Sequence, residues 1–125
     1  MSELPKIEIQ VETRHLAEQS QPERNHYVFA YRVTITNRGE IPAQLVSRHW
    51  IITDANGETK EVRGEGVVGE QPVLQPGESY QYTSGSVLET PVGSMHGSYQ
   101  MIDAEGREFD APIQPFRLAT ATVLH

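Results

Sequence analysis

The sequence predicts an all-β protein built as an antiparallel sandwich of two sheets with about seven or more strands. Three observations indicate this. Apolar and polar residues alternate with a period of two in most segments. Glycine, proline, asparagine or aspartate interrupts the pattern about every ten residues, as in sandwich domains. No long segment repeats apolar residues at helical spacing.

The first half of the chain predicts four strands. Ile7, Ile9 and Val11 alternate with polar residues, and the same alternation continues over residues 27–35. In a third strand over residues 44–53, we expect one face, with Trp50, to point into the core. That face holds Val46, Arg48, Trp50 and Ile52, and the Arg48 stem is expected to lie along the core with its head in solvent.

Turn residues predict how the remaining strands follow. Asn56-Gly57 is typical of a type I′ hairpin turn, which predicts a return strand over residues 59–63. Residues 64–77 hold four glycines and two prolines, which predicts one long irregular crossing loop. A strand then carries Tyr80 and Tyr82 and fades at Gly85. Two further strands follow it, with a final segment along an edge. The first of them carries Met95, Gly97, Tyr99 and Met101 on a common face, the second carries Phe109 and Ile113, and the final segment carries Phe116 and Leu118.

Composition excludes several classes of protein. With 125 residues, 37% of them hydrophobic and 22% charged, we expect residues 1–125 to form a single globular domain. A net charge of −7 disfavours nucleic-acid binding, because it repels a phosphate backbone. The sequence contains no apolar run of membrane-spanning length and no basic-then-apolar leader, so we expect a cytoplasmic protein without a membrane role. The absence of cysteine excludes disulfides and thiolate metal sites.

The most specific motif is G-x-G-x-x-G, formed by Gly64, Gly66 and Gly69. In dinucleotide-binding proteins this motif opens a helix whose N-terminus holds a pyrophosphate. Pro72 and Pro76 stand where that helix would run, so we expect no helix to begin at Gly69. Two alternatives stay open. The glycines turn the chain between sheets, or their N–H groups form a weak anion site with Arg63.

The remaining residues predict neither catalysis nor a metal site. None of the five histidines has a local ligand spacing, although a site assembled across strands stays open. Ser94 lacks the following helix of a nucleophile elbow, and the carboxylates are dispersed. Six aromatic residues are better explained as sandwich core than as a base-stacking platform. The histidines are His15, His26, His49, His96 and His125. The aromatic residues are Tyr27, Phe29, Tyr31, Tyr80, Tyr82 and Tyr99.

Taken together, several long motifs in order make the sequence resemble the ApaG family over nearly its whole length. They are YVFAYRVTITN, RHWIITDANG, VRGEGVVGEQPVLQPGESYQYTSG, LETPVGSMHGSYQM and PFRLATATVLH. The resemblance implies a bacterial cytoplasmic protein with an immunoglobulin-like or fibronectin type III-like sandwich. It implies no cofactor. The family is linked to cobalt and magnesium tolerance, and its glycine motif, proposed to bind pyrophosphate, maps onto Gly64, Gly66 and Gly69.

Related domains inside larger eukaryotic proteins imply a module that binds other proteins. Our first expectation is therefore a non-enzymatic domain whose loops or edge strand bind an unidentified protein partner. The alternative is a pyrophosphate- or nucleotide-binding protein or hydrolase that uses the Gly64–Gly69 loop, with or without a divalent metal ion. Both a monomer and a homodimer agree with the sequence, because sandwich edges can pair across a two-fold axis.

Overall fold

The computed structural model describes residues 6–120, and these form eight strands and two short 3₁₀ turns. Within this range no helix is long and apolar enough to cross a membrane. The 3₁₀ turns, which the sequence pattern did not indicate, are Ala17–Gln19 and Pro22–Arg24. The strands are β1 Ile7–His15, β2 Tyr27–Asn37, β3 Ala43–Asp54, β4 Thr59–Glu65, β5 Val73–Leu74, β6 Ser79–Leu88, β7 Val92–Asp103 and β8 Glu108–Ala119.

The strands pair in two antiparallel sheets. One sheet has the order β1-β2-β6, and the other has the order β4-β3-β7-β8, with β5 pairing with the start of β3. The sheets pack face to face, with β1 lying against β8. This arrangement confirms the predicted all-β fold, and it is a fibronectin type III-like sandwich.

Trp50 lies at the centre of the core, as its position in β3 predicts. Its side chain is 2% exposed. Its ring makes edge contacts with Tyr31 from the opposite sheet at 5.5 Å and with Phe116 at 5.8 Å between centroids. Tyr99 completes the cluster at 6.2 Å. The predicted choice of buried face in β3 is therefore correct for Trp50.

The same prediction is wrong for Val46, because a β-bulge interrupts β3. Leu45 pairs with Met101 and Ser47 pairs with Gln100, which leaves Val46 without an opposing residue on β7. The bulge shifts the alternation, so Leu45 is fully buried and Val46 is exposed. Strict alternation had placed Val46 inside and Leu45 outside.

The turn after β3 is a hairpin, as predicted, but it is not type I′. Gly57 donates its N–H to the carbonyl of Asp54, and Asp54 donates to Glu58. Only Gly57 has a positive φ, of 83°, while Asn56 does not. A turn followed by one left-handed glycine makes a three-residue loop with a bulge, the other common hairpin connection.

Three predicted boundaries also need correction. β4 continues to Glu65, and β5 lies within residues 64–77, so this stretch is more regular than a single crossing loop. β6 continues past Gly85 to Leu88. Residues 108–119 form one continuous strand, β8, and not two segments. In each case pairing with a neighbouring strand extends the element over residues with poor strand propensity. Gly85, for example, pairs with Ala30.

Candidate functional site

Gly64 provides the space in which the Arg48 side chain lies. The two residues are paired across β3 and β4. A Cβ atom at position 64 would lie 2.8 Å from the guanidinium carbon of Arg48. From this position Arg48 Nη1 donates hydrogen bonds to the carbonyl oxygens of Glu65, at 3.0 Å, and Gly66, at 2.8 Å. The head of Arg48 is therefore bound to the glycine segment, whereas the sequence predicted it in solvent.

Gly66 is required by both conformation and close packing. Its φ is 63°, in the left-handed region that favours glycine. A Cβ atom there would lie 2.3 Å from the carbonyl oxygen of Glu70. Its N–H donates to the carbonyl of Val46 at 2.8 Å, which ties the segment to the bulge in β3.

Residues 67–70 form a tight two-residue hairpin turn. Val67 and Glu70 exchange both backbone hydrogen bonds, at 2.8 and 2.9 Å. Val68 and Gly69 between them have positive φ values of 46° and 81°, the pattern of a type I′ turn. Val67 is fully buried and anchors the turn to the core. The type I′ conformation expected at Asn56-Gly57 is therefore absent there and occurs in a different turn, at Val68-Gly69.

No helix begins at Gly69, which confirms that prediction. The chain passes from the turn directly to β5 at Val73. Pro72 lies before β5, and its carbonyl accepts a hydrogen bond from the N–H of Leu45 at 3.0 Å. The context that dinucleotide binding requires is not formed by residues 64–77.

The residues of the predicted anion site are only partly brought together. Gly66 and Gly69 lie in one tight turn, but the N–H groups of Gly66 and Val67 are already donated to carbonyls. Arg63 pairs with His49 on the outer face of the sheet, whereas Gly64 pairs with inward-facing Arg48. The Arg63 side chain is 71% exposed, with Glu61 Oε1 3.6 Å from its Nη2. Anion binding at these residues stays a prediction.

Arg48 is the residue of this segment whose position the sequence analysis predicted wrongly. An arginine on the inward face of a strand needs hydrogen-bond acceptors, because a buried charge without partners is costly. A glycine on the neighbouring strand would have indicated where its guanidinium fits. That signal is readable only once the register of β3 against β4 is known.

The four histidines that the structure describes are not gathered into a metal site. Among residues 6–120, no group of three or more histidine or carboxylate side chains is arranged to hold a metal ion. His49 Nε2 lies 2.7 Å from Glu61 Oε1 across the sheet. This hydrogen bond and the electrostatic interaction with His49 hold the pKa of the Glu61 carboxyl below its usual range. His125 lies outside the described residues.

The aromatic residues belong mainly to the core. Phe29, Tyr31, Tyr82 and Tyr99 are buried. The hydroxyls of Tyr82 and Tyr99 are hydrogen-bonded to each other between the sheets. Burial raises the pKa of both phenols far above the usual value, so both stay neutral at any physiological pH. A sandwich core is therefore the correct interpretation for these four rings.

Exposed apolar side chains lie on the strands and turns of one half of the sandwich, which we call the β4–β6 side, although they point to different faces of it. Among the described residues, the large apolar side chains that are exposed are all valines, and none lies on β1, β2, β7 or β8. They lie on β4, the turn that follows it, β5, β6 and the adjacent bulge of β3. These residues are Val62, Val68, Val73, Val87 and Val46.

Comparison with known proteins agrees with this fold. A model of the ApaG domain family matches residues 17–103. The ApaG protein of Azotobacter vinelandii is 61% identical over 119 residues, which cover 95% of this chain and 94% of that relative. The ApaG protein of Azoarcus sp. strain BH72 is 60% identical over 124 residues, covering 99% and 98% of the two chains.

A solved structure shows the same similarity in three dimensions. The crystal structure of an ApaA protein from Bordetella pertussis superposes with a TM-score of 0.91 at 50% sequence identity. The superposition covers 94% of this chain and 95% of that one. Since the family model spans most of the chain and full-length relatives share about 60% of its residues, the chain belongs to the ApaG family.

Proposed function

We propose that this protein is a non-enzymatic binding module of the bacterial cytoplasm whose β4–β6 side docks a partner protein. The observation that carries the proposal is that every exposed large apolar side chain among the described residues belongs to the β4–β6 side. Single exposed apolar residues are ordinary on a protein surface, but here β1, β2, β7 and β8 carry none, which makes the β4–β6 side the candidate interaction surface. Val68 and Val73 are the most exposed of the set, at 63% and 52%.

The conformation of Val68 supports the same proposal. A β-branched residue with a φ of 46° is strained, and the strain costs on the order of 1–3 kcal/mol. Val68 gains little from burial in return, because most of its side chain faces solvent. Strained residues that a fold does not need are concentrated at functional sites. A protein partner that covers Val68 would recover the burial that the isolated chain lacks.

The glycine motif also has a structural explanation that needs no ligand. Gly64 accommodates Arg48, Gly66 packs against Glu70, and Gly69 takes a positive φ in the turn. Together the three glycines shape the turn that presents Val68. This assignment supports the non-enzymatic part of the proposal, because it explains the motif by packing within the protein.

Site-specific photo-crosslinking in living bacteria tests the proposal. A benzophenone amino acid replaces Val68 in one strain and exposed Gln10, on β1, in a matched control strain. We expect a discrete protein adduct from position 68 that is absent from position 10. The Val73→Glu substitution, combined with the probe at position 68, should reduce that adduct severalfold. Equal labelling from both positions, or none from position 68, would refute the proposal.

The alternative is that the Gly64–Gly69 segment binds a pyrophosphate or nucleotide with a divalent metal ion. One observation favours it: the N–H groups of Val68 and Gly69 take no part in the two hydrogen bonds that close the turn. Glu65 and Glu70 stand in the same segment, so an anion would need a metal ion to offset their charge. Magnesium or cobalt would serve that purpose.

Calorimetric titration separates the two functions. Pyrophosphate, ATP and diadenosine tetraphosphate are each added with and without Mg²⁺ or Co²⁺. The binding-module proposal predicts no saturable heat at ligand concentrations up to about 1 mM. A dissociation constant of about 1 mM corresponds to a binding free energy of about −4 kcal/mol. Metal-dependent binding that Gly69→Ala abolishes, while Arg63→Gln weakens it, would establish the alternative instead.

A further inference from the structure

We propose that the partner contributes an extended segment that pairs with the free edge of β6 and lies over β4, completing the smaller sheet. This inference rests on the proposed function and specifies how the β4–β6 side recognises its partner. The recognised chemistry is an uncharged backbone edge, beside which lie one apolar and one basic side chain.

The backbone groups of β6 that face away from β2 can be identified from the hydrogen bonds at the end of β2. Asn37 donates its N–H to Glu78, on the β6 side, and Arg38 donates to Lys6, on the β1 side. Because an antiparallel strand alternates its bonding direction at each residue, odd residues of β2 bond to β6. In the pairing register their partners are the even residues of β6, such as Tyr80 and Tyr82. The N–H and C=O groups of Gln81, Thr83 and Gly85 therefore face the free edge.

β6 lacks the features that protect edge strands from pairing. It is ten residues long and contains no charged residue and no proline. The other outer strands are protected, since β8 carries two prolines and both β1 and β4 carry several charged residues. Long uncharged edges are avoided in proteins because they recruit further strands. An unprotected edge next to exposed valines is therefore expected at a site that recruits a further strand from a partner.

Within residues 6–120, the sandwich also leaves a strand position beside β6 unfilled. The sheet β1-β2-β6 faces the four-strand path β4-β3-β7-β8, and β1 lies against β8. Counted from that seam, β6 falls opposite β3, and none of the strands between Ile7 and Ala119 lies opposite β4. Val62 pairs with buried Trp50 and shares its inward face, yet it is 40% exposed. Variable-type immunoglobulin domains place a fourth strand at this position, next to the equivalent of β6.

The inward face of β4 defines what the added strand must carry. Lys60 pairs with Ile52 and Val62 pairs with Trp50, so both point toward the vacant position. Lys60 has no ion-pair partner within residues 6–120. A strand at the vacant position would present alternate side chains to these two residues. We therefore infer a segment with an apolar residue opposite Val62 and an acidic residue two positions away, opposite Lys60.

A single strand fits this edge better than a second copy of the chain. If β6 paired with β6 of a second copy about a two-fold axis, the second copy's β6 would occupy the strand position opposite β4 of the first copy. The second copy's β3 lies opposite its own β6, so it would collide with β4 of the first copy. The overhang of β4 thus disfavours a continuous sheet between two copies, while a single extended segment meets no such obstacle.

Synthetic decapeptides test the inference with the intact protein. The parent peptide alternates valine and threonine, and each valine in turn is replaced by aspartate or lysine. Binding is measured by calorimetry, and amide hydrogen exchange by NMR. We expect one aspartate position to tighten binding about two- to fivefold, the range of an exposed ion pair, and lysine there to weaken it. Exchange at the amides of Gln81, Thr83 and Gly85 should slow at least tenfold.

Two variants locate the site. Thr83→Pro removes an outward N–H without touching the β2 ladder, a position where an edge strand tolerates proline. It should abolish binding, while Thr13→Pro on the outer edge of β1 should leave binding unchanged. Lys60→Glu should reverse the preference from aspartate to lysine even if Thr83→Pro is too unstable to study.

The outcomes distinguish this inference from the proposed function. Absence of binding by every peptide at 1 mM, or equal binding by the Thr83→Pro variant, would overturn pairing at β6. The crosslink from position 68 would then still support a binding module. A dimer in sedimentation that Thr83→Pro dissociates would also overturn it, since the occupant would then be a second copy.

Discussion

The substitution Gly64→Ala tests whether the first glycine of the motif serves Arg48 or a ligand. The added Cβ atom would lie 2.8 Å from the Arg48 guanidinium, so the side chain must move. Its two hydrogen bonds to the carbonyls of Glu65 and Gly66 would then be lost or lengthened. Alanine also restricts the unfolded chain, which offsets part of the loss.

The expected magnitude follows from these terms. A hydrogen bond from a charged group contributes about 1.5–3 kcal/mol, less where solvent competes as it does here. Losing two partly exposed bonds therefore costs about 2–3 kcal/mol. The entropy gain from replacing glycine returns about 0.4–1 kcal/mol. We expect Gly64→Ala to lower the free energy of unfolding by about 1–2.5 kcal/mol.

A double-mutant cycle with Arg48→Met isolates this cause. Methionine keeps the apolar stem but has no guanidinium for the Cβ atom to displace. In that background only the entropic gain is left, so Gly64→Ala should stabilise the protein by about 0.4–1 kcal/mol. Urea denaturation of the four proteins supplies the free energies. If the cost of Gly64→Ala is the same in both backgrounds within about 0.5 kcal/mol, the two residues are not coupled and our explanation of Gly64 is wrong.

The remaining predictions concern the core, the turn, acid stability and activity. Trp50→Ala should cost about 3–5 kcal/mol in urea unfolding, and a cost near zero would contradict its central packing. Val68→Gly should raise stability by about 1 kcal/mol by relieving the strained φ, and a loss would show that no strain is stored there. Burial raises the pKa of the Asp103 carboxyl, but hydrogen bonds from Arg107 and from the Glu105 N–H, together with the charge of Arg107, outweigh burial and lower it overall. Its contribution to stability should therefore be complete at neutral pH and be lost as the pH falls below about 4, so an Asp103→Asn variant should show a shallower acid dependence. The protein should release no phosphate from ATP or diadenosine tetraphosphate above background with Mg²⁺ or Co²⁺, and turnover that a folded Gly64→Ala/Gly66→Ala variant loses would establish an enzyme.

Much of the fold follows from local features of the sequence. Alternation with a period of two predicts the strands, and the central position of Trp50 predicts the buried face of β3. Pro72 and Pro76 predict that no helix begins at Gly69. These inferences succeed because backbone conformation and the sidedness of a strand depend on near neighbours in the chain. The motifs of the ApaG family agree with them over the same segments.

Other features depend on which strands become neighbours, and only the tertiary structure decides them. The bulge at Val46 arises where β3 pairs with β7, and it reverses the sidedness that alternation predicted. Arg48 and Gly64 meet only through the register of β3 against β4. The free edge of β6 and the uncovered face of β4 follow from sheet order. Pairing joins residues far apart in sequence through backbone groups that are alike in every residue, so side-chain identity alone does not encode it.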